Sequence, residues 1–543
     1  MGIAFTGAVC AGCTSSVHRR DDAAAAAAPL ERCEKPANVI DRAVCPHLAE
    51  AGCVDAPLAS PSELCRRLHI DLIGRLPTPR ETAETCGSRS AREIATRLMA
   101  APDYVRHAQA QWAARLHYEP AQVHGKWLVD ADQLVAQMVT GRIGYDTFAR
   151  RILAHPAFGV GARRPQTCLG QDEEGFFAQV AQRALEVFLG RGPIAGEDVS
   201  LAKLFRVWRK DVHMLNSDFG RADAVLDPGR CPCQSTAFGT TTTITLPLAG
   251  RTLYEDLPAD RRAAVQTELE KPGALLVAQE PFWTQAADTA LAMYLGWWKS
   301  TLNLDASLLP DVELALAHQL RASKDRSFAD LVLEVVTSEL YLRSNRVPEG
   351  TPDVRPVYCA GPLRIVRPEA YVSSLGALLA VQVGRCDHHT SEKRGTVFLD
   401  GTEGTFFPDA LRSDLDSDAA LLGTADFHRD AARAMGGCAG GAPTTEEPTL
   451  KLVSGAADVA TTLCRVGTVL PAGAAPADVS APAVSAIAVH LSRLLLGRDP
   501  TADEQSAFAA DAADCARDAA CDARTVAQAL CAAMARSLDF TTY

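Results

Sequence analysis

The chain has 543 residues, 47% of them hydrophobic, which is enough apolar material for two or three packed units and excludes a disordered chain. Its 66 acidic residues outnumber 54 basic ones, and the net charge of -12 comes without any basic run, so nucleic acid is excluded as the expected partner. Seventeen cysteines are many for a reducing cytosol and fit an oxidising, extracytoplasmic compartment.

The chain begins MGIAFTGAVCAGC, a short apolar stretch of small residues ending in a cysteine. It reads as the tail of a lipoprotein signal over residues 1–13, with Cys10-Ala11-Gly12-Cys13 as the cleavage box and Cys13 as the lipidated residue. Two departures stand against that pattern: Cys10 occupies the usual leucine position, and no Lys or Arg precedes the apolar segment. Residues 14–59 are expected to form a tether followed by an irregular entry segment stapled through Cys33, Cys45 and Cys53. No later stretch reaches the roughly 18 apolar residues of a membrane span. ALAMYLGWW, Ala290 to Trp298, is about half that length and reads as a buried helix.

From residue 60 the pattern becomes helical, and residues 60–223 are expected to form an N-terminal helical domain. Ser60-Pro61-Ser62-Glu63 has the grammar of a helix start, Leu64, Leu68 and Leu72 make a stripe, and Gly74 supplies the left-handed stop. Thr78-Pro79-Arg80-Glu81 starts a second helix at once, so the pair forms a hairpin. Cys65 precedes Gly74 by nine residues and Cys86 follows Thr78 by eight, about 13 and 12 Å along their helices, which places the two sulfurs level and predicts a disulfide. Ser90 opens a third helix with Ile94 and Leu98 inward, ending at APDY, Ala101 to Tyr104.

The same grammar returns in a C-terminal hairpin unit, residues 481–543. Ile487, Leu491, Leu494 and Leu495 are stopped by Gly497, Thr501 and Glu504 cap the next helix, and the unit closes at SLDF, with Cys515 and Cys521 as a second predicted staple. GRLPTPRE (Gly74 to Glu81) and GRDPTADE (Gly497 to Glu504) therefore read as one structural joint used twice. FLGRGPIAGED, Phe188 to Asp198, reads as a degraded third copy. NSDF (Asn216 to Phe219) and TSELY (Thr337 to Tyr341) repeat the closing motif, and the recurring unit spans roughly 30 to 45 residues. The arginine after each glycine, Arg75, Arg191 and Arg498, is expected to cover the last carbonyls of the preceding helix, with a carboxylate or phosphate clamp as the other reading. Residues 257–345 form a further helical domain, whereas 224–256 (a Thr-rich loop) and 346–480 (rich in Gly, Pro and Asp) are expected to be irregular, with a few short strands. The fold class is mainly α, built of capped hairpins and quasi-repeated helical units.

CRRLHIDLIGRLPTPRE, LMAAPDYVRHAQAQWAARLHY and GYDTFARRILA, in this order, resemble a domain of unknown function from planctomycete and myxobacterial envelope proteins, associated with c-type cytochrome modules. FADLVLEVVTSELYLRS and LSRLLLGRDPTADE resemble its usual C-terminal partner domains. The resemblance implies location and architecture more than chemistry. Relatives often carry Cys-x-x-Cys-His, but here the comparable region has Cys231-Pro232-Cys233-Gln234 and the haem attachment run occurs nowhere, which excludes covalent haem.

Chemistry-bearing candidates are few. Cys231 and Cys233 lack a second ligand pair at zinc spacing and read as disulfide partners of distant cysteines. His388 and His389, with Asp414, Asp416 and Asp418 downstream, could hold zinc or calcium, although the acidic run lacks the Gly and Glu of an EF-type loop. No Gly-x-Ser-x-Gly, His-Glu-x-x-His or phosphate loop occurs. The composite expectation is a noncatalytic lipoprotein of the outer membrane or cell surface that binds an envelope protein or surface polymer. An extracellular metal-dependent hydrolase and an accessory docking electron-transfer haem proteins are the alternatives. Replacing Cys13 by Ala is expected to move the protein from the membrane to the soluble fraction, and retention of the variant in membranes would refute the anchor.

Overall fold

The structure, a computed structural model, describes residues 38–51, 57–116, 125–155, 173–211, 258–295, 309–344, 366–381 and 450–542, except 195, 516 and 518–520, with isolated positions beside them. These residues are overwhelmingly helical. Extended pairing among the described residues includes two parallel contacts of two residues each, Val54–Asp55 with Tyr358–Cys359 and Val212–His213 with Thr252–Leu253, and one antiparallel bridge, Leu58 with Arg343.

Helix α1, Val39–Ala51, starts where the Asn38 side chain accepts the Ile40 and Asp41 N–H groups. Residues 39–51 of the entry segment are thus helical where irregularity was expected, since Ile40 and Val44 bury one short face that sequence periodicity is too brief to reveal. Helix α2, Pro61–Ile73, is capped by Ser60 and stopped by Gly74 at φ 79°. Glu63 does not complete that cap; its carboxylate accepts from Arg67 and Ser344 instead. Helix α3, Pro79–Glu81, runs into a π-helical turn at Thr82–Cys86, and its start is a complete capping box of Thr78 and Glu81. Helix α4, Ala91–Met99, has the same box from Ser90 and Glu93.

Eight further helices follow: α5 Pro102–Leu116, α6 Gly125–Val139, α7 Tyr145–Ala154, α8 Glu173–Leu189, α9 Glu197–Asp211, α10 Ala259–Leu269, α11 Lys271–Val277 and α12 Glu280–Tyr294. The N-terminal part closes with α13 Leu309–Ala322, α14 Phe328–Val336 and α15 Glu339–Leu342. One core runs from Ile40 to Tyr341 through all of these helices except α10. The expected separation into domains 60–223 and 257–345 is therefore corrected: Phe328 stacks on Tyr145 and packs edge-on against Trp112, so the two segments share one interior. A unit of 30 to 45 residues buries only one side of its helices, and sequence pattern does not say which units complete each other.

The second core joins α16 Pro368–Leu378, α17 Leu450–Val466, α18 Ala481–Leu491 with its π-helical extension Ser492–Leu496, α19 Ala502–Cys515, α20 Ala523–Ala535 and α21 Leu538–Thr541. Helices α16 and α17 lie within 346–480, so that segment is not irregular throughout. Both are apolar and packed, and Leu379 approaches Gly467 where a Cβ would stand 2.6 Å away.

One device recurs in both cores. The N–H groups of Tyr104, Phe158, Phe282, Tyr341 and Phe540 each donate to the carbonyl three residues earlier, at 3.0 to 3.3 Å, and each ring is buried. APDY, TSELY and SLDF are therefore turns that drive an aromatic side chain inward, and Phe158 and Phe282 are two further examples that sequence reading passed over.

Disulfides join Cys33 to Cys45, Cys65 to Cys86, Cys515 to Cys521 and Cys464 to Cys531, the last across 67 residues between α17 and α20. By loop-closure entropy the longest of these stabilises by about 4 kcal/mol. Replacing both Cys464 and Cys531 by Ala is expected to lower unfolding free energy by about that amount in denaturant titrations; an unchanged midpoint would show that the bond is not formed.

Candidate functional site: the seam between two joints

The three glycine-arginine joints share one geometry. Arg75 donates from Nη1 and Nη2 to the two oxygens of Glu81 at 2.7 and 2.6 Å, and from Nη1 to the Leu76 carbonyl at 3.1 Å. Arg191 repeats this on Glu197 at 2.6 and 3.0 Å and on the Gly192 carbonyl. Arg498 repeats it on Glu504 at 2.8 and 2.7 Å and on the Asp499 carbonyl. The glutamate oxygen that meets Nη1 also accepts a joint N–H, from Thr78, Ile194 and Thr501 respectively.

Each arginine also has a partner at an aromatic turn: Asp103 at 3.7 Å, Gln279 at 3.2 Å and Asp539 at 2.6 Å. The reading that these arginines cover the preceding helix's last carbonyls is corrected. Each forks onto the capping glutamate six residues ahead, because a planar guanidinium matches a carboxylate at two points. The third copy keeps this geometry in full and is degraded only in its threonine.

Electrostatics follow the geometry. Burial alone would raise the Glu81 carboxyl, but the bonds from Arg75 and Thr78 outweigh it and hold the group at about 2. The Arg498 bonds hold Glu504 at about 2 as well, against a smaller effect of burial. Glu197 is lowered in the same way by Arg191.

The first and last joints meet in space. Ser62 Oγ donates to the Gly497 carbonyl at 3.2 Å, Arg66 donates to the Leu495 carbonyl at 2.8 Å and to the Asp539 carbonyl at 3.4 Å, and the Leu76 N–H donates to Ser374 Oγ at 2.8 Å. Arg66, from another unit, thus does what Arg498 was expected to do for the helix end. A Cβ on Gly497 would stand 3.1 Å from Ser62 Oγ, so glycine serves both the left-handed backbone and the close approach.

Between the joints lies a cleft of about 350 Å³ whose lining includes Pro77, Pro79, Leu494, Arg66, Arg493, Arg498 and Asp499. Its charges largely cancel. Arg498 faces two carboxylates, and Arg493 bonds Asp499 in a pair that is 66% and 65% exposed, worth little and easily exchanged. The lining offers donors, acceptors and apolar rings together, a surface for recognition. Ser62 is committed to a backbone carbonyl, and no base is bonded to it.

Of the residues singled out in sequence, the structure brings together Cys33 with Cys45, Cys65 with Cys86 and Cys515 with Cys521. His69, whose Nδ1 bonds the Cys65 carbonyl at 2.9 Å, lies beside the second pair as a third group of metal-ligand type, but the two sulfurs are bonded to each other. Cys13, Cys53, Cys231, Cys233, His388, His389, Asp414, Asp416 and Asp418 lie outside the described residues. The partnership of Cys464 with Cys531 was missed; no fixed offset marks a bond between non-adjacent helices.

Residues 39–188 match the family model described as PSCyt2, a protein of unknown function (DUF1549). The match ends before 328–344 and 491–504. No curated protein and no solved structure is significantly similar to the chain.

The lowered glutamates set an acid limit. A carboxyl depressed in the folded state contributes stability above its unfolded value near 4.5, and that contribution is lost as pH falls toward 2. Both side chains are about one-third exposed, so solvent screening reduces each contribution to the order of 1 kcal/mol. Glu81→Gln and Glu504→Gln are expected to destabilise at pH 7 and to flatten the loss of stability between pH 5 and 3 in urea titrations. A slope matching the parent's would refute the fork.

Proposed function

We propose that the chain is a noncatalytic, lipid-anchored binding or assembly component of the cell envelope. The seam cleft carries this reading: its walls come from two separately cored units, and its mixed, nearly neutral lining suits a peptide or polymer with both donors and acceptors. The disulfides suit an extracytoplasmic compartment. Among the described residues no helix is long and apolar enough to cross a membrane. This reading assigns attachment to Cys13.

A photo-crosslinking residue at Arg493, followed by affinity purification from intact envelopes, is expected to capture one discrete partner. The same residue at exposed Glu268, outside the cleft lining, should not. Equal capture from both positions, or none from Arg493, would refute the cleft as the docking place.

A further inference from the structure

Of the three glycine-arginine joints, two are covered by other parts of the chain and one is bare. At the first, Leu76 is buried in the second core with its N–H on Ser374, and Pro77 is buried beside it. At the last, Pro500 is buried, and Ser62 and Arg66 close on the Gly497 and Leu495 carbonyls. The middle joint has the same fork of Arg191 on Glu197. Yet Gly192, Pro193, Ile194 and Gly196 are all exposed, and a Cβ on either glycine would meet nothing within 4 Å.

The bare joint is also apolar where the covered ones are polar. Ile194 occupies the position of the capping Thr78 and Thr501, although isoleucine is among the poorest residues there because it offers no oxygen to the orphan N–H groups. Five large apolar side chains are exposed among the described residues, and three belong to this neighbourhood: Ile194 at 64%, Leu275 at 53% and Val199 at 46%. Val199 lies in the first turn of α9, which packs against α11. Leu275 lies on α11, four residues before Gln279, the residue that Arg191 reaches. Exposed Ala274 and Ala278 widen the same apolar face.

What covers the other two joints is a joint-bearing unit, the first and last meeting each other across the seam. Among the described residues no further joint remains to cover the middle one, and a second copy of the chain brings one. Charge favours the same place. Two copies with a net charge of -12 each repel over most of their surface, whereas from Arg191 to Lys203 the two cations are balanced by Glu197 and Asp198.

We propose that the middle joint is the contact between two copies of this chain, a two-fold pairing in which Ile194, Val199 and Leu275 of one copy pack on the same three residues of the other. None of these residues lines the seam cleft, so this pairing and the binding role of the cleft stand or fall separately.

The test is sedimentation equilibrium of the full chain over a range of concentrations, which is expected to show a reversible monomer–dimer equilibrium. Ile194→Asp is expected to weaken dimerisation by at least about tenfold. Aspartate is a favoured N-cap, so this variant should unfold at the same or a higher denaturant midpoint, which separates a lost contact from a lost fold. Leu275→Asp should weaken dimerisation likewise, and Leu314→Asp, at an exposed position on α13, should leave it unchanged. A chain that stays monomeric at every concentration, a dimer that survives either Ile194→Asp or Leu275→Asp, or equal weakening by Leu314→Asp overturns the proposal.

Discussion

Helix α2 is the constraint around which the molecule is assembled. Seven of its residues from Cys65 to Leu72 are buried, and they include Arg67, His69 and Asp71. A buried ion without partners costs several kcal/mol, so the surroundings of α2 have to supply them. The turn that buries Tyr341 does so from one side: Arg67 donates to the Tyr341 and Arg343 carbonyls and lies over the Tyr341 ring, and the Tyr341 hydroxyl donates to Asp71 at 2.8 Å. Glu63 closes the set by bonding Arg67 and Ser344. From the other side Arg66 and Ser62 reach the C-terminal unit, and Ile70 enters the second core. Two residues adjacent in sequence, Arg66 and Arg67, thereby tie together parts of the chain more than 270 and 420 positions away.

The joints solve a smaller version of the same problem. A helix that stops and another that starts within a few residues leave orphan carbonyls and N–H groups at one point. The capping glutamate accepts an orphan N–H on one oxygen and engages the arginine fork with both, while the arginine reaches the aromatic turn that anchors the unit. One carboxylate and one guanidinium thus fix the entry, the exit and the inward ring together, which accounts for the same pair appearing in three units with otherwise different sequences.

What could be read in advance was local. Helix starts at Ser60, Thr78 and Ser90, the stops at Gly74 and Gly497 and the level placement of Cys65 with Cys86 depend on neighbours a few residues away, and pattern carries that information. The roles of the arginines depend on a comparison of two local partners, carbonyl or carboxylate, and the bidentate geometry decides it only once the chain is folded. The shared core and the seam between the joints involve residues far apart in sequence. Trp112, Tyr145 and Phe328 look like ordinary core aromatics until their neighbours are known.

The pairing of α16 with α17 has a topological meaning. The two helices pack against each other while Cys464 fastens α17 to α20. The chain between these two helices is thereby closed at both ends, in the covalent sense alone. The entropy of closing such a loop rises only with the logarithm of its length. The separation in sequence between α16 and α17 therefore weighs little in whether the two helices pair, and their packing together with the Cys464–Cys531 bond decides it.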